Sequence, residues 1–425
     1  MQRYRAALDT VGACAAAAIA GLALIVPVDT GCAADSSALQ MTLLSVTVPR
    51  ATAAGVIVAV LAAVCVRMFG SRTAWGAATV ATLILVTDHL VPTPSVTMAT
   101  ANFVDSIAAG VLLGAAGAAA LEYRPPAIGY LLGGLIGVTV GDHIETIAAE
   151  QGTLSLLERA FVDLPPVWVT VPTMGLLAVC WVLCPRAGAA SYPTALNLPF
   201  APVLAAAVVV TTIDIVSERL TTGTSDAAVI VAGTLAVLAA AVISALLLPE
   251  RDGTLTLLAV ALAATGSAIA IAAQAHWKLA PILSVLTLGL ATGLRRAAPV
   301  VAAVAIVGLG VFALLVPGAR HDDSWSALIG SCAIAALAGY SFGAVTTRGT
   351  AGTVLAIGLL FIPTAVLTLE FRGCEAFPLH PNRAVESGDR AAWMAIALGA
   401  GCLAAIIALR RLRPERVEQD VEQDQ

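Results

Sequence analysis

Charged residues, and lysine above all, are scarce in this sequence of 425 residues. Asp, Glu, Lys and Arg together make up 12% of the chain, and Lys278 is the only lysine. In a soluble domain about a quarter of the residues carry charge. Hydrophobic residues reach 59%, and the mean hydropathy is +0.93. The composition excludes an ordinary soluble domain, because most of the chain must face lipid or other buried helices.

Motifs that indicate an enzyme or an ATP-driven machine are also missing. The sequence contains no Gly-Lys-Ser or Gly-Lys-Thr phosphate loop and no His-Glu-x-x-His pair, so nothing indicates direct ATP use or a zinc hydrolase. Its eight cysteines show no metal-ligand spacing, and no basic patch indicates nucleic-acid binding. We therefore predict that the protein is not an enzyme and takes no cofactor, metal or nucleic acid.

The sequence does contain a repeated pattern of apolar runs. Five runs recur after a shift of 224 residues: 51–68, 75–92, 101–121, 127–146 and 166–184 correspond to 275–292, 299–316, 325–345, 351–370 and 390–408. The polar gaps follow the same shift, which places Arg72 on Arg296 and Arg124 on Arg348. A shared register with little residue identity predicts a duplicated membrane bundle, as in many secondary transporters.

The apolar runs predict an all-α polytopic membrane protein with about 14 transmembrane helices, since a bilayer core of about 30 Å needs roughly 20 residues per helix. The predicted helices are 7–28, 51–68, 75–92, 101–121, 127–146, 166–184, 199–216, 226–248, 254–276, 279–294, 297–316, 325–345, 350–370 and 391–410. They form two six-helix repeats and an inserted helix pair. The predicted units are an N-terminal bundle at 1–185, the inserted pair at 199–248, a C-terminal bundle at 254–410 and a disordered cytoplasmic tail at 411–425.

The basic residues predict the orientation of these helices. With the N-terminus inside, 14 of the 22 Lys and Arg residues fall on the inner side, and 18 of the 27 acidic residues fall outside. Cytoplasmic loops are enriched in Lys and Arg. We therefore predict a multi-pass protein of the cell inner (plasma) membrane with both termini in the cytoplasm.

The six-plus-two-plus-six order resembles the fourteen-helix drug:proton antiporters of the major facilitator superfamily. The loop that joins the second and third helices is similar to the cytoplasmic signature of that family at Arg67, Gly70 and Arg72. Val66 stands where the family has an acid, and that acid latches the two halves on the inner side. The resemblance implies a secondary transporter with two halves around a central substrate path.

A stripe of small residues on the fifth helix resembles the Gly-rich antiporter motif of the same family, without its proline. The stripe consists of Gly129, Gly133, Gly137 and Gly141, spaced four residues apart. Small residues let membrane helices approach closely. Two interpretations stay open: static helix packing, and a sliding surface between the two halves that takes part in gating.

Ionisable residues within apolar runs are the candidates for proton coupling or for the substrate path, because charge inside a membrane is costly. The candidates are Asp29, Asp105, Asp142 and His143. Asp29 lies in Val28-Asp29-Thr30, which is similar to the first-helix motif of the family. The alternative is that these residues mark the outer water interface.

Asp88, His89, Asp214 and Glu218 are interpreted as residues of that interface, where charge costs little. The opposing interpretation is that a carboxylate beside a histidine titrates near neutrality, which would be useful for proton-coupled transport. Asp88 is expected at the outer surface and outside the transport path.

Three functions remain open from the sequence. The leading one is a proton-coupled secondary transporter that exports a moderately apolar small molecule or a lipid-like compound. Its partners would be the lipid bilayer, the small-molecule substrate and protons, and the sequence indicates no particular protein partner. The second is a non-transporting membrane scaffold or assembly factor for cell-envelope biogenesis. The third is a membrane enzyme that acts on a lipid-linked substrate.

Overall fold

The computed structural model describes residues 2–25, 38–90, 98–143, 165–184, 200–222, 227–269, 278–316, 325–345, 349–371 and 388–413. This part of the chain contains helices and no strand. The fourteen helices are α1 Gln2–Ile25, α2 Ala38–Phe69, α3 Ser71–Leu90, α4 Met98–Ala120, α5 Arg124–His143, α6 Val167–Leu183, α7 Phe200–Thr222, α8 Ala227–Leu247, α9 Glu250–Ile269, α10 Leu279–Arg295, α11 Pro299–Leu315, α12 Trp325–Ala344, α13 Thr350–Phe371 and α14 Gly388–Leu412.

The helices form where the apolar runs lie, and their length and composition suit a bilayer. Within the described residues, eight helices are long and apolar enough to cross a membrane, and four shorter apolar helices accompany them. Large hydrophobic side chains such as Val231, Leu235, Leu288 and Val301 are exposed on the outside of the bundle. Such a surface needs lipid rather than water around it. The protein is therefore a multi-pass membrane protein.

The first six and the last six helices pair in the same way. In the first set α1 packs against α5 and α6, α2 against α4, and α3 against α4 and α6. In the last set α9 packs against α13 and α14, α10 against α12, and α11 against α12 and α14. Each of these five pairs in the first set has its counterpart eight helices later. This agrees with the predicted duplication, and the exact domain boundaries stay a prediction.

The closest pairs are held by glycines. A Cβ atom on Gly110 of α4 would collide with the carbonyl of Gly55 of α2, and one on Gly289 of α10 would collide with the carbonyl of Ala336 of α12. Small residues at such crossings let backbones touch, which is a main source of helix association in lipid. The α2–α4 and α10–α12 pairs therefore form a tight, rigid unit in each set.

The inserted pair packs beside both sets. Helix α7 contacts α2 and α13, and α8 contacts α9 and α14. The two inserted helices are joined by a hydrogen bond of 2.7 Å from the Ser244 hydroxyl to the Ala205 carbonyl oxygen. The pair therefore covers one side of the boundary between the two sets.

Trp75, near the start of α3, is only 2% exposed and belongs to the core. One local feature differs from the sequence-based expectations. Helix α14 continues through Leu412, inside the tail that was predicted to be disordered, and Arg413 donates hydrogen bonds of 2.9 Å to the carbonyls of Leu246 and Leu248. Residues 414–425 of that tail lie outside the described residues.

Candidate functional site

The clearest polar site in the membrane-spanning region joins the end of α3 to the first part of α4. Nδ1 of His89 lies 3.9 Å from Oδ2 of Asp105, and the two side chains are only 3% and 2% exposed. Nδ1 of His89 also lies 2.8 Å from the carbonyl oxygen of Leu85. Asp105 is seven residues into α4, roughly 10 Å from its beginning at the helical rise. The site is therefore inside the bundle and not at its surface.

Polar atoms around this pair have unused hydrogen-bonding capacity. Among the described residues, neither carboxylate oxygen of Asp105 accepts a hydrogen bond, and the amide nitrogen of Asn102 has no acceptor. Asn102 is buried and lies three residues before Asp105 on α4, so the two side chains share a face. Buried polar groups usually have partners. An unused donor beside unused acceptors suits a water molecule, a proton or a polar group of a small molecule.

The structure corrects the expectation that His89 belongs to the outer surface. His89 is buried against α4, and Asp88 is only partly exposed. Asp88 lies close enough for its charge to act on Asp105. The sequence interpretation failed because it treated the end of an apolar run as the water boundary, whereas α4 covers this end of α3. A substitution at Asp88 would therefore also affect Asp105.

The structure describes the other predicted proton-coupling residues in less detail. Asp29 lies outside the described residues, and Asp142 and His143 are the last two residues of α5. Asp214 of α7, expected at the water interface, is 9% exposed and therefore lies inside the bundle. None of these residues is described in contact with the His89–Asp105 pair.

The Gly-rich stripe of α5 faces α1. A Cβ atom on Gly129, Gly133 or Gly137 would collide with the backbone of α1, and one on Gly141 would press on Ile25 of that helix. The stripe thus lies between two helices of the first set. Contact with the last set comes from the neighbouring Gly134, which packs against Ile357 of α13.

The predicted cytoplasmic signature joins the two sets of helices. Nη1 of Arg67, at the end of α2, donates a 3.3 Å hydrogen bond to the Thr350 hydroxyl at the start of α13. Gly70 forms the turn into α3 with a φ of 88°, a left-handed conformation that favours glycine. Arg72 lies in the first turn of α3 and is partly exposed.

Sequence reasoning missed Asp252, a buried residue near the start of α9. Its carboxylate lies against Gly349 and Gly352 at the beginning of α13, where side-chain carbons would occupy its place. A carboxylate is stabilised at the N-terminal end of a helix. Asp252 thus lies beside α13, the helix that Arg67 contacts. The cytoplasmic signature has Val66 where the family has an acid, so the acid near this place comes from another helix. The two glycines of the Gly349-Thr350-Ala351-Gly352 segment were the available signal.

No group of three or more His, Cys, Asp or Glu side chains suited to a metal ion occurs in the part of the chain that the structure describes. The polar site is therefore a carboxylate–imidazole pair with an adjacent amide. Such a pair can bind and release a proton, and it can exchange hydrogen bonds with a solute.

Comparison with known proteins supports the fold. No family model matches the chain, and no curated protein matches its sequence. The structure is similar to the xylose transporter XylE from E. coli in a partially occluded inward-open conformation, with a TM-score of 0.51, 14% identity, and coverage of 96% of this chain and 99% of that one. It is also similar to the major facilitator superfamily proton:xylose symporter XylE bound to 6-bromo-6-deoxy-D-glucose, with a TM-score of 0.49, 13% identity, and coverage of 98% and 97%. The chain therefore has the fold of the xylose transporter XylE in its partially occluded inward-open conformation.

Proposed function

We propose that this protein is a proton-coupled secondary transporter that exports a moderately apolar small molecule or a lipid-like compound, in the manner of the drug:proton antiporters. It acts in the cell inner membrane with both termini in the cytoplasm. The observation that carries the proposal is Asp105, a carboxylate that is 2% exposed in a membrane-spanning helix and whose oxygens accept no hydrogen bond from described residues.

A buried carboxylate of this kind is suited to proton coupling. Its proton affinity depends on whether water reaches it, because desolvation disfavours the charged form. A transporter that opens to each side in turn changes that access. The carboxylate then takes up a proton in one state and releases it in the other, without any further chemical step. Intramembrane acids are typical components of such proton relays.

The contact surface between the two sets of helices supports an apolar cargo. Helix α13 packs into the first set through apolar side chains seated on small residues or facing them. These contacts are Phe361 on Gly21 of α1, Val354 on Gly117 of α4, Ile357 on Gly134 of α5 and Gly358 on Val56 of α2. A path that opens along this surface offers few fixed charges to a solute, which suits a moderately apolar molecule.

Dye export tests the proposal. The chain is expressed in a host without its own drug exporters, and the accumulation of a fluorescent lipophilic dye is followed with and without a protonophore. We expect wild-type cells to exclude the dye only while the proton gradient stands. Asp105→Asn keeps the size of the side chain but cannot titrate, so it should abolish export while the protein is made in normal amount.

The matched control is Asp214→Asn, which replaces another buried acid on α7, a helix that packs against neither α3 nor α4. It should export dye at the wild-type rate. If Asp105→Asn exports as fast as wild type across the same gradient, proton coupling at this site is wrong. If cells with the wild-type protein accumulate as much dye as cells without it, the export proposal itself is wrong, and the membrane scaffold becomes the better function.

A further inference from the structure

We propose that His89 and Asp105 bind the transported proton as one unit, so that the coupling site is an imidazole–carboxylate pair and not a single acid. The inference rests on the proposed function only in naming this proton as the coupling proton. The pair itself follows from the geometry at the end of α3 and the first part of α4.

The hydrogen bond to Leu85 assigns the tautomer of His89. A carbonyl oxygen only accepts, so Nδ1 of His89, 2.8 Å from it, must carry the hydrogen. That same nitrogen lies 3.9 Å from Oδ2 of Asp105. In the neutral ring Nε2 is therefore the basic nitrogen, and an arriving proton binds either there or on Asp105. The ring stays anchored to Leu85 in both states.

Charge balance explains why two groups serve better than one. With neutral His89 and ionised Asp105, these two side chains together carry a net charge of −1, beside the partly exposed Asp88. One proton brings the two to zero, whether it resides on the ring or on the carboxylate. A membrane interior strongly favours the neutral unit. His89 alone would become a lone buried cation on protonation, so the pair limits the buried charge in each state.

Asn102 completes the site. Its amide nitrogen is buried and without an acceptor among the described residues, on the same face of α4 as Asp105. Water that enters in the open state can accept from this amide and donate to the unused oxygens of Asp105. Such a water molecule would connect Asn102 to the pair.

Five charged or titratable groups lie at this end of the helices that pack around the pair, among the helices that the structure describes. Helix α6 has no charged residue, and the remaining groups at this end of the neighbouring helices are Asp88 on α3, the exposed Arg50 on α2, Asp142 and His143 on α5 and Glu370 on α13. Asp88 is adjacent in sequence to His89 and its charge acts on Asp105. The charge of Asp88 therefore affects how tightly the pair binds a proton, but Asp88 is not a member of the pair.

Infrared titration of the purified full-length protein in lipid nanodiscs tests the inference without any substrate. The carboxylic-acid band of Asp105 is assigned by its loss in Asp105→Asn, and the ring bands of His89 by isotope-labelled histidine and His89→Gln. We expect His89→Gln to move the midpoint of the Asp105 band by about one pH unit or more, the interaction that defines a coupled pair. Asp105→Asn should move the His89 midpoint by a similar amount, since one interaction energy governs both.

Asp214→Asn serves again as the control and should move neither midpoint. If Asp105→Asn does not fold, Asp105→Glu assigns the band, and His89→Gln alone carries the test. A midpoint that stays within error when its neighbour is replaced overturns the pair. Coupled midpoints together with dye export that ignores the proton gradient overturn the proposed function and leave the pair standing.

Discussion

Asp252 lies against the first turn of α13, and two glycines leave the space for its carboxylate. Arg67 reaches the same turn from α2 through Thr350. The first set of helices thus contributes a cation and the last set an acid to one end of α13. The family signature places its acid next to the basic residues in sequence. Here an acid lies near the same place in space but comes from another helix, which sequence spacing alone could not reveal.

Gly352→Ala tests this packing at the residue scale. A Cβ atom at position 352 would lie 2.6 Å from a carboxylate oxygen of Asp252, so the acid must move away from the helix end. We expect a loss of about 1–3 kcal/mol of stability from overpacking, measured as a lower midpoint of thermal unfolding in detergent.

The control for this substitution is Gly308→Ala on α11, where a Cβ atom meets nothing within 4 Å. Alanine favours helices over glycine by about 1 kcal/mol, so Gly308→Ala should leave the unfolding midpoint unchanged or raise it slightly. An equal response of the two variants would show that Asp252 does not depend on the glycine.

At the scale of helices and helix pairs, the predictions from the sequence agree with the structure in part. The apolar runs predicted fourteen helices, and the structure has them. The 224-residue register predicted two similar sets, and the pairs of helices correspond. Which faces meet was beyond the pattern, because helices in lipid associate through close fit and not through a hydrophobic stripe. The burial of His89 was missed for this reason, because it depends on which helix covers the end of α3.

Gly133→Ala separates the two interpretations of the α5 stripe. A Cβ atom there would strike the carbonyl of Cys14 in α1, and a backbone atom cannot rotate away. If the stripe serves static packing, α1 and α5 must separate, and we expect thermal stability to fall by about 1–3 kcal/mol with transport lost only in proportion to folded protein.

Gly175→Ala on α6 is the matched control, because a Cβ atom at position 175 meets nothing within 4 Å. It should leave both stability and dye export unchanged. If Gly133→Ala keeps wild-type stability and yet slows export, the stripe is a moving surface, and the packing interpretation is wrong.

At the scale of the whole molecule, α13 is the helix on which the two sets meet. It packs against α1, α2, α4 and α5, and side chains at positions 354–361 are among those that make these contacts. With the predicted orientation these positions lie in the cytoplasmic half of the membrane. The His89–Asp105 pair lies toward the predicted outer end of the bundle. In the proposed transport cycle, coupling between the pair and this contact surface requires movement of one set against the other.

Cysteine labelling tests the orientation on which this picture depends. In a chain without its native cysteines, a cysteine replaces Glu122, exposed between α4 and α5, or Leu90, exposed at the end of α3. The distribution of basic residues puts Glu122 inside and Leu90 outside. In intact cells a membrane-impermeant maleimide should therefore label Leu90→Cys and spare Glu122→Cys, which becomes reactive only after the membrane is opened. The opposite labelling pattern would show that the protein has the inverse orientation in the membrane. The start of α13 would then face outward, and the His89–Asp105 pair would take its proton from the cytoplasm.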